Sequence, residues 1–333
     1  MSRKNMQVLL ANRPQGWVQE SDFRIVETEL PPLNDGELLV KNLYLSLDPY
    51  MRGRMNDSKS YAAKTELGEV MVGGTIGEVI ESRNERFSVG DVVVGYFGWQ
   101  QYGISRGQGL QKVTTKEVPP SAYLGAIGMP AITAWYGLLQ IGQPKEGETV
   151  VVSAASGAVG SVVGQLARSR GCRAVGIAGG QAKCDYVVNE LGFAACVDYK
   201  AGDLRKSLRA AAPDGIDVYF DNVGGEILDT VLTQLNAHAR IPLCGLVSQY
   251  NETEPRAIRN FGALLTNRVT LRGFIVSEHM EFWPQALKEL EGLVIAGKLK
   301  YRESIAEGLE NAPRAFIGMF KGENFGKQIV KLA

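Results

Sequence analysis

The sequence predicts an α/β protein in two parts, a compact barrel-like antiparallel β domain followed by a doubly wound parallel sheet. Three observations point there. Up to about residue 120 the chain consists of short β-type runs cut by turn residues, and from about residue 123 strand-like and helix-like stretches alternate. A glycine turn joins the first strand of that second part to its first helix. The length of 333 residues suits two domains at about 150 residues each, and 45% hydrophobic with 22% charged residues excludes wholesale disorder.

The early runs are Gln7 to Leu10, Phe23 to Glu27, Glu37 to Leu45, Gly74 to Glu81 and Asp91 to Tyr96. Pro31-Pro32, Asn34-Asp35-Gly36, Gly73-Gly74 and Val89-Gly90-Asp91 bound several of them. In the second part Thr149 to Ser153 is a continuous apolar run, as a strand buried on both faces requires. Val159, Val162, Val163, Leu166 and Ala167 then share one helical face, and Gly171 stops that helix. Further strands are expected at Arg173 to Ala178, Ala194 to Asp198, Ile216 to Asp221, Arg240 to Leu246 and Thr270 to Val276. Helices are expected near Ala182 to Leu191, Leu204 to Ala211 and Gly225 to Leu235, and one opening at Trp283-Pro284, where proline suits the first turn.

The turn Ala155-Ser156-Gly157-Ala158-Val159-Gly160 follows the Rossmann GxGxxG pattern with alanine at its first position. Gly157 lets backbone approach a pyrophosphate, Gly160 lets helix and sheet pack closely, and the helix N-terminus offers its N–H groups to the anion. About 20 residues on, where a carboxylate would accept a bare ribose hydroxyl, stands Ala178-Gly179-Gly180 with Lys183 behind it. This chemistry favours a 2′-phosphate, and the expected cofactor is NADP. A ligand-free tight turn and a solvated lysine are the competing readings.

Thirty-six basic residues balance 36 acidic ones, so no global field attracts nucleic acid or an acidic membrane. Met6 to Ala11 is too short for a signal-peptide core, no run approaches the roughly 18 apolar residues of a membrane span, and Cys172, Cys184, Cys196 and Cys244 read as reduced thiols. A soluble, cytoplasmic protein is expected. Residues 1 to 171 contain neither cysteine nor histidine, which removes the metal sites of zinc alcohol dehydrogenases. His238 and His279 are far apart and read as structural, and Ser-His-Asp hydrolytic arrangements are unsupported.

The chain resembles the zinc-independent medium-chain dehydrogenases/reductases, within them the branch of prostaglandin reductases, alkenal double-bond reductases and bacterial NADPH-dependent curcumin reductases. The resemblance rests on Leu45 to Met55, Gly128-Met129-Pro130, Ala155 to Gln165, Asp221 to Gly225, Cys244 to Asn251 and Gly322 to Lys327. It implies a GroES-like barrel over 1–122 completed by a return segment, 299–333, around a Rossmann domain over 123–298. It implies that Gly157, Ala158, Val159 and Gly160 hold the pyrophosphate, with Lys183 and Tyr199 at the 2′-phosphate. Asn222 would lie beside the ribose, and Cys244, Tyr250, Phe274, Ile275, Val276 and Asn324 would enclose the nicotinamide portion. Ala131 and the stretch 254–260 depart from the family pattern.

The reaction implied is reduction of a carbon–carbon double bond conjugated to a carbonyl, hydride going to the β-carbon and charge developing on the oxygen. Tyr50 and Tyr250 are the expected hydrogen-bond or proton donors, since a phenol stays protonated at neutral pH. Packing against the cofactor or capping a turn competes with that role, and a ribose hydroxyl or water could supply the proton instead. The rival functions are a zinc-independent NADPH-quinone oxidoreductase and an NADPH-binding protein without turnover. A homodimer paired edge to edge through Thr270 to Val276 is expected from relatives.

Overall fold

The structure, a computed structural model, describes residues 3–113, 115–254 and 256–332; Pro255, in the divergent stretch singled out above, lies outside them. Two units make up the chain, Met1–Leu124 with Glu303–Ala333 and Gly125–Arg302.

In the first unit β1 (Lys4–Leu10) and β2 (Phe23–Glu29) form an antiparallel pair. A larger sheet contains β3 (Leu38–Ser46), β4 (Thr75–Ser82), β5 (Val92–Gly95), β6 (Tyr102–Ser105) and β7 (Gln111–Lys112). The one-turn helix α1 (Met51–Arg54) follows β3. Against β4, β3 shifts register at Leu39/Val40 and again at Asn42/Tyr44. Such bulges redirect side chains, and β3 accordingly feeds two cores. Leu38 and Val40 pack with Val79, Phe87 and Val93, whereas Leu45 joins Leu47, Met51, Met71 and Trp99.

The second unit opens with α2 (Met129–Tyr136), continued by a π-helical turn at Gly137–Gly142. Its strands are β8 (Thr149–Ser153), β9 (Arg173–Ala178), β10 (Ala195–Asp198), β11 (Ile216–Phe220), β12 (Leu235–Leu243) and β13 (Thr270–Gly273), all parallel, in the order β10-β9-β8-β11-β12-β13. Helices α3 (Gly160–Ser169), α4 (Gln181–Asn189), α5 (Leu204–Ala211), α6 (Gly225–Leu232), α7 (Gly262–Thr266) and α8 (Trp283–Ile295) connect and flank them. Strand order reverses between β8 and β11, the place where open α/β sheets receive ligands. All five residues of β8 are buried, and of the expected α3 face Val162, Val163, Leu166 and Ala167 are buried and Val159 partly so, Gly160, Ser161, Gly164 and Gln165 being buried as well. Strand boundaries in this sheet differ most from expectation at β12 and β13. β12 starts five residues earlier than Arg240, because a register shift against β11 and a left-handed His238 (φ 64°) break its alternation. β13 stops at Gly273 rather than Val276, all four of its residues being exposed.

The chain then re-enters the first unit as β14 (Glu303–Glu307), α9 (Ala312–Lys321) and β15 (Lys327–Lys331). β14 runs parallel to β15, and β15 antiparallel to β3, giving the order β14-β15-β3-β4-β5-β7 with β6 also on β3. Phe316 of α9 enters the Trp99 core edge-on, ring centroids 5.5 Å apart. Lys327 and Asp48 form a buried ion pair at 2.9 Å that ties β15 to the end of β3. Among the described residues no helix is long and apolar enough to cross a membrane.

Close packing of α3 gives the first prediction. A β-carbon on Gly164 would lie 1.8 Å from Phe193 Cζ. Alanine is the better helix former by about 1 kcal/mol, but forcing atoms into a filled core costs about 1–3 kcal/mol. Gly164→Ala is therefore expected to melt below the parent in a thermal denaturation scan; an equal or higher midpoint contradicts this packing.

Candidate active site

β8 delivers the glycine turn at its carboxyl end. Ala154 takes the left-handed conformation (φ 52°), a strained choice for a residue with a β-carbon, and the chain then runs into α3. A β-carbon on Gly160 would stand 2.4 Å from the Ala154 carbonyl oxygen, and one on Gly157 would stand 3.1 Å from the same atom. Gly160 is thus obligatory. Ala155 donates its N–H to Ile177 at 3.0 Å, pinning the turn to β9, and Ala158 and Val159 complete it as the helix N-terminus.

The turn after β9 is held by the Asp198 carboxylate. Gly180 adopts φ 99° and donates to Asp198 Oδ1 at 2.8 Å; the same oxygen accepts the Lys200 N–H at 2.9 Å. That carboxylate oxygen faces backbone donors. Tyr199 lies against Gly179, where a β-carbon would be 3.0 Å from its hydroxyl. Lys183 is partly buried, and burial together with the Lys200 ammonium lowers its pKa. Lys200 itself sits 5.9 Å from the Tyr199 ring centroid. Two mutually repelling ammonium groups and a phenol hydroxyl fit a phosphate, whose negative charge would relieve the repulsion.

At the switch point the organising residue is Asp221, 0% exposed. Its Oδ1 accepts from the Tyr219 hydroxyl and from the N–H groups of Val223 and Gly224, each at 2.9 Å. Its backbone carbonyl accepts from Cys244 N at 2.8 Å and Gly245 N at 3.2 Å. Asn222 is clamped to β8, its N–H on Ser153 Oγ at 2.9 Å and its amide on the Ser153 carbonyl at 2.8 Å. Tyr250 is partly buried, and its oxygen accepts the Leu246 N–H at 3.2 Å. Burial and the Asp221 carboxylate push the Cys244 thiol up to about 12. Phe274 turns its ring toward Tyr136 (5.6 Å) and Phe220 (6.3 Å), Ile275 follows in the loop, and Val276 is buried.

Tyr50 and Asn324 belong to the other unit. Tyr50 stands at the start of α1 with the Arg54 guanidinium 5.6 Å from its ring centroid. Burial first, and then the Asp48 carboxylate, raises its hydroxyl pKa well above the usual value. Asn324 donates its amide to the Gly326 carbonyl at 2.9 Å within its own turn.

The family described as "N-terminal domain of oxidoreductase" matches residues 6–113, and that described as "Zinc-binding dehydrogenase" matches residues 158–292. The chain is 47% identical over 337 residues to the NADPH-dependent curcumin reductase of Escherichia coli, covering 99% of this chain and 98% of the relative. It is 42% identical to the NADP-dependent 2-alkenal reductase of Nicotiana tabacum, over 99% of this chain and 98% of that protein. The chain belongs to the medium-chain dehydrogenase/reductase superfamily, in the curcumin, 2-alkenal and prostaglandin reductase branch. A solved structure of another member, CurA of Vibrio vulnificus in complex with NADPH, superposes with a TM-score of 0.94 at 46% identity, covering 98% of this chain and 99% of that one.

Among the described residues no group of three or more His, Cys, Asp or Glu side chains is placed to hold a metal ion, whereas a catalytic zinc needs three protein ligands. His279 instead stacks on Tyr136 at 4.3 Å. Sequence reasoning missed Asp198, Lys200 and Asp221. The first two flank Tyr199, so inspection of its neighbours would have found them, and Asp221 opens one of the family motifs.

Proposed function

We propose that the protein is an NADPH-dependent reductase of carbon–carbon double bonds conjugated to a carbonyl, acting on enones, 2-alkenals or curcumin-like compounds. The turn after β9 carries this reading: Gly179-Gly180 backed by Lys183, Tyr199 and Lys200 is a cationic, phenolic site, and the CurA structure that matches 98% of the chain was solved with NADPH. When bound, NADPH supplies the hydride that goes to the β-carbon. Gly157, Ala158, Val159 and Gly160 hold the pyrophosphate at the helix N-terminus. Lys183 and Tyr199 hold the 2′-phosphate, Asn222 the ribose, and Cys244, Tyr250, Phe274, Ile275, Val276 and Asn324 surround the nicotinamide portion.

The chemistry asked of the protein is then to steady an oxygen as it gains negative charge. Tyr50 and Tyr250 do so as neutral hydroxyl donors, and Tyr50 also passes on a proton. Its raised pKa supports the neutral form at every working pH. In this reading 1–122 and 299–333 form a GroES-like barrel domain with the catalytic turn, 123–298 binds NADP, and the protein is cytoplasmic. The exposed β13, at the end of the sheet order beside β12 and carrying Leu271, supports a homodimer joined edge to edge.

Turnover of curcumin, a 2-alkenal and a simple quinone, followed by loss of nicotinamide absorbance, is expected to favour the conjugated carbonyls, and activity on the quinone alone overturns the reading. Tyr50→Phe and Tyr250→Phe are each expected to lower kcat by about 10²-fold; parent-like rates in either remove that hydroxyl from the chemistry. Lys183→Ala should raise KM for NADPH far more than for NADH, and equal effects place Lys183 outside the phosphate site. Sedimentation should give a dimer that Leu271→Pro converts to monomer; a monomeric parent sinks the edge-pairing proposal.

A further inference from the structure

β15 reaches the Tyr50 turn through the Lys327 side chain and through the Gln328 carbonyl, which accepts the Leu47 N–H at 3.1 Å. Lys327, 4% exposed, donates to the Leu47 carbonyl at 2.6 Å and to Asp48 Oδ1 at 2.9 Å. The second Asp48 oxygen accepts from the Ser46 hydroxyl. The Asp48 carbonyl takes the Met51 N–H at 3.1 Å, so the same residue that meets the ammonium also holds the turn from which Tyr50 projects. The other ionisable groups facing this spot are Glu303, Arg54, Tyr61 and Tyr96. Glu303 stands opposite Lys327 in the β14–β15 register and accepts from Ser121 Oγ at 2.9 Å. Arg54 lies over the rings of both Tyr50 (5.6 Å) and Tyr61 (4.5 Å).

A mere staple between two strands needs no charge, since apolar side chains of similar volume pack as well or better than a buried ion pair. What an ammonium adds is opposition to the Asp48 charge, part of which still reaches the Tyr50 and Tyr96 hydroxyls. A phenol beside an unopposed carboxylate holds its proton more tightly, because phenolate and carboxylate repel. The Asp48 charge does act on both the Tyr50 and Tyr96 hydroxyls in this sense.

We propose that Lys327 is a positioning residue for the reduction, opposing the Asp48 charge at the Tyr50 turn so that the Tyr50 hydroxyl can release its proton. The inference rests on Tyr50 being the donor. In the step itself the Tyr50 O–H bond breaks, its proton forms the new bond on the enolate left by hydride addition, and the phenolate recovers a proton from water.

Three variants test this: Lys327→Met, the charge-free double variant Asp48→Asn/Lys327→Met, and Tyr50→Phe. Lys327→Met is expected to lower kcat at least about tenfold, to leave KM for NADPH within about twofold, and to enlarge the solvent deuterium isotope effect on kcat. The double variant is expected to recover to within about threefold of the parent. Tyr50→Phe separates the two failures: if it keeps the parent kcat, the reading of Tyr50 falls and this proposal with it. If Tyr50→Phe is slow, a parent-like Lys327→Met, or a double variant that melts like the parent but stays as slow as Lys327→Met, overturns the role of Lys327 alone. Should Lys327→Met not fold, the double variant decides, near-parent kcat supporting the proposal and a tenfold loss in folded protein overturning it.

Discussion

A carboxylate removed from water must be met by donors, and where those donors come from dictates the backbone around it. Asp221 imposes that constraint on the second unit. Because its Oδ1 gathers the N–H groups of Val223 and Gly224, the chain has to turn at once after β11. Because its carbonyl gathers those of Cys244 and Gly245, the chain leaving β12 has to bend over the same point. Ser153 brings the end of β8 into the arrangement through Asn222. Two loops and three strand ends are thereby set from one residue, at the edge where the sheet reverses its order.

Asp48 and Asp221, both buried, solve the same problem differently. Asp48 is met by an ammonium and a hydroxyl, so its charge is opposed directly. Asp221 has only neutral donors, and burial outweighs them: its pKa is raised, and Oδ2 has no hydrogen-bond partner. Losing one partner of a buried ion pair costs about 3–5 kcal/mol. A single neutral donor to a charged group contributes about 1.5–3 kcal/mol. The ion pair therefore concentrates its contribution in one contact between distant chain segments, whereas the Asp221 cluster spreads it over several neighbours.

Local features were legible from the residues alone. The unbroken apolar run of β8, the glycine turn and the face of α3 each follow from burial on both sides or from a helical period, which a short window contains. The segment α2 was not, because seven of its eight residues are buried and no polar face marks its period. β6, β7, β14 and β15 are short, and their partners lie elsewhere in the chain. Distance in sequence hid the rest: Asp48 and Lys327 are 279 residues apart, and Asp198 caps a turn 18 residues before it. Tyr50, Tyr250 and Lys183 stood out by motif, but the groups that set their surroundings did not.

The cysteines carry a consequence of their own. Burial raises the pKa of Cys172, Cys184 and Cys196, and Cys244 is held at about 12. An alkene activated by a carbonyl is a soft electrophile, and the thiolate, not the thiol, is what adds to it. A catalyst that works on such molecules risks being alkylated by them, and raised thiol pKa values at all four cysteines, two of them buried and two partly so, lower that risk.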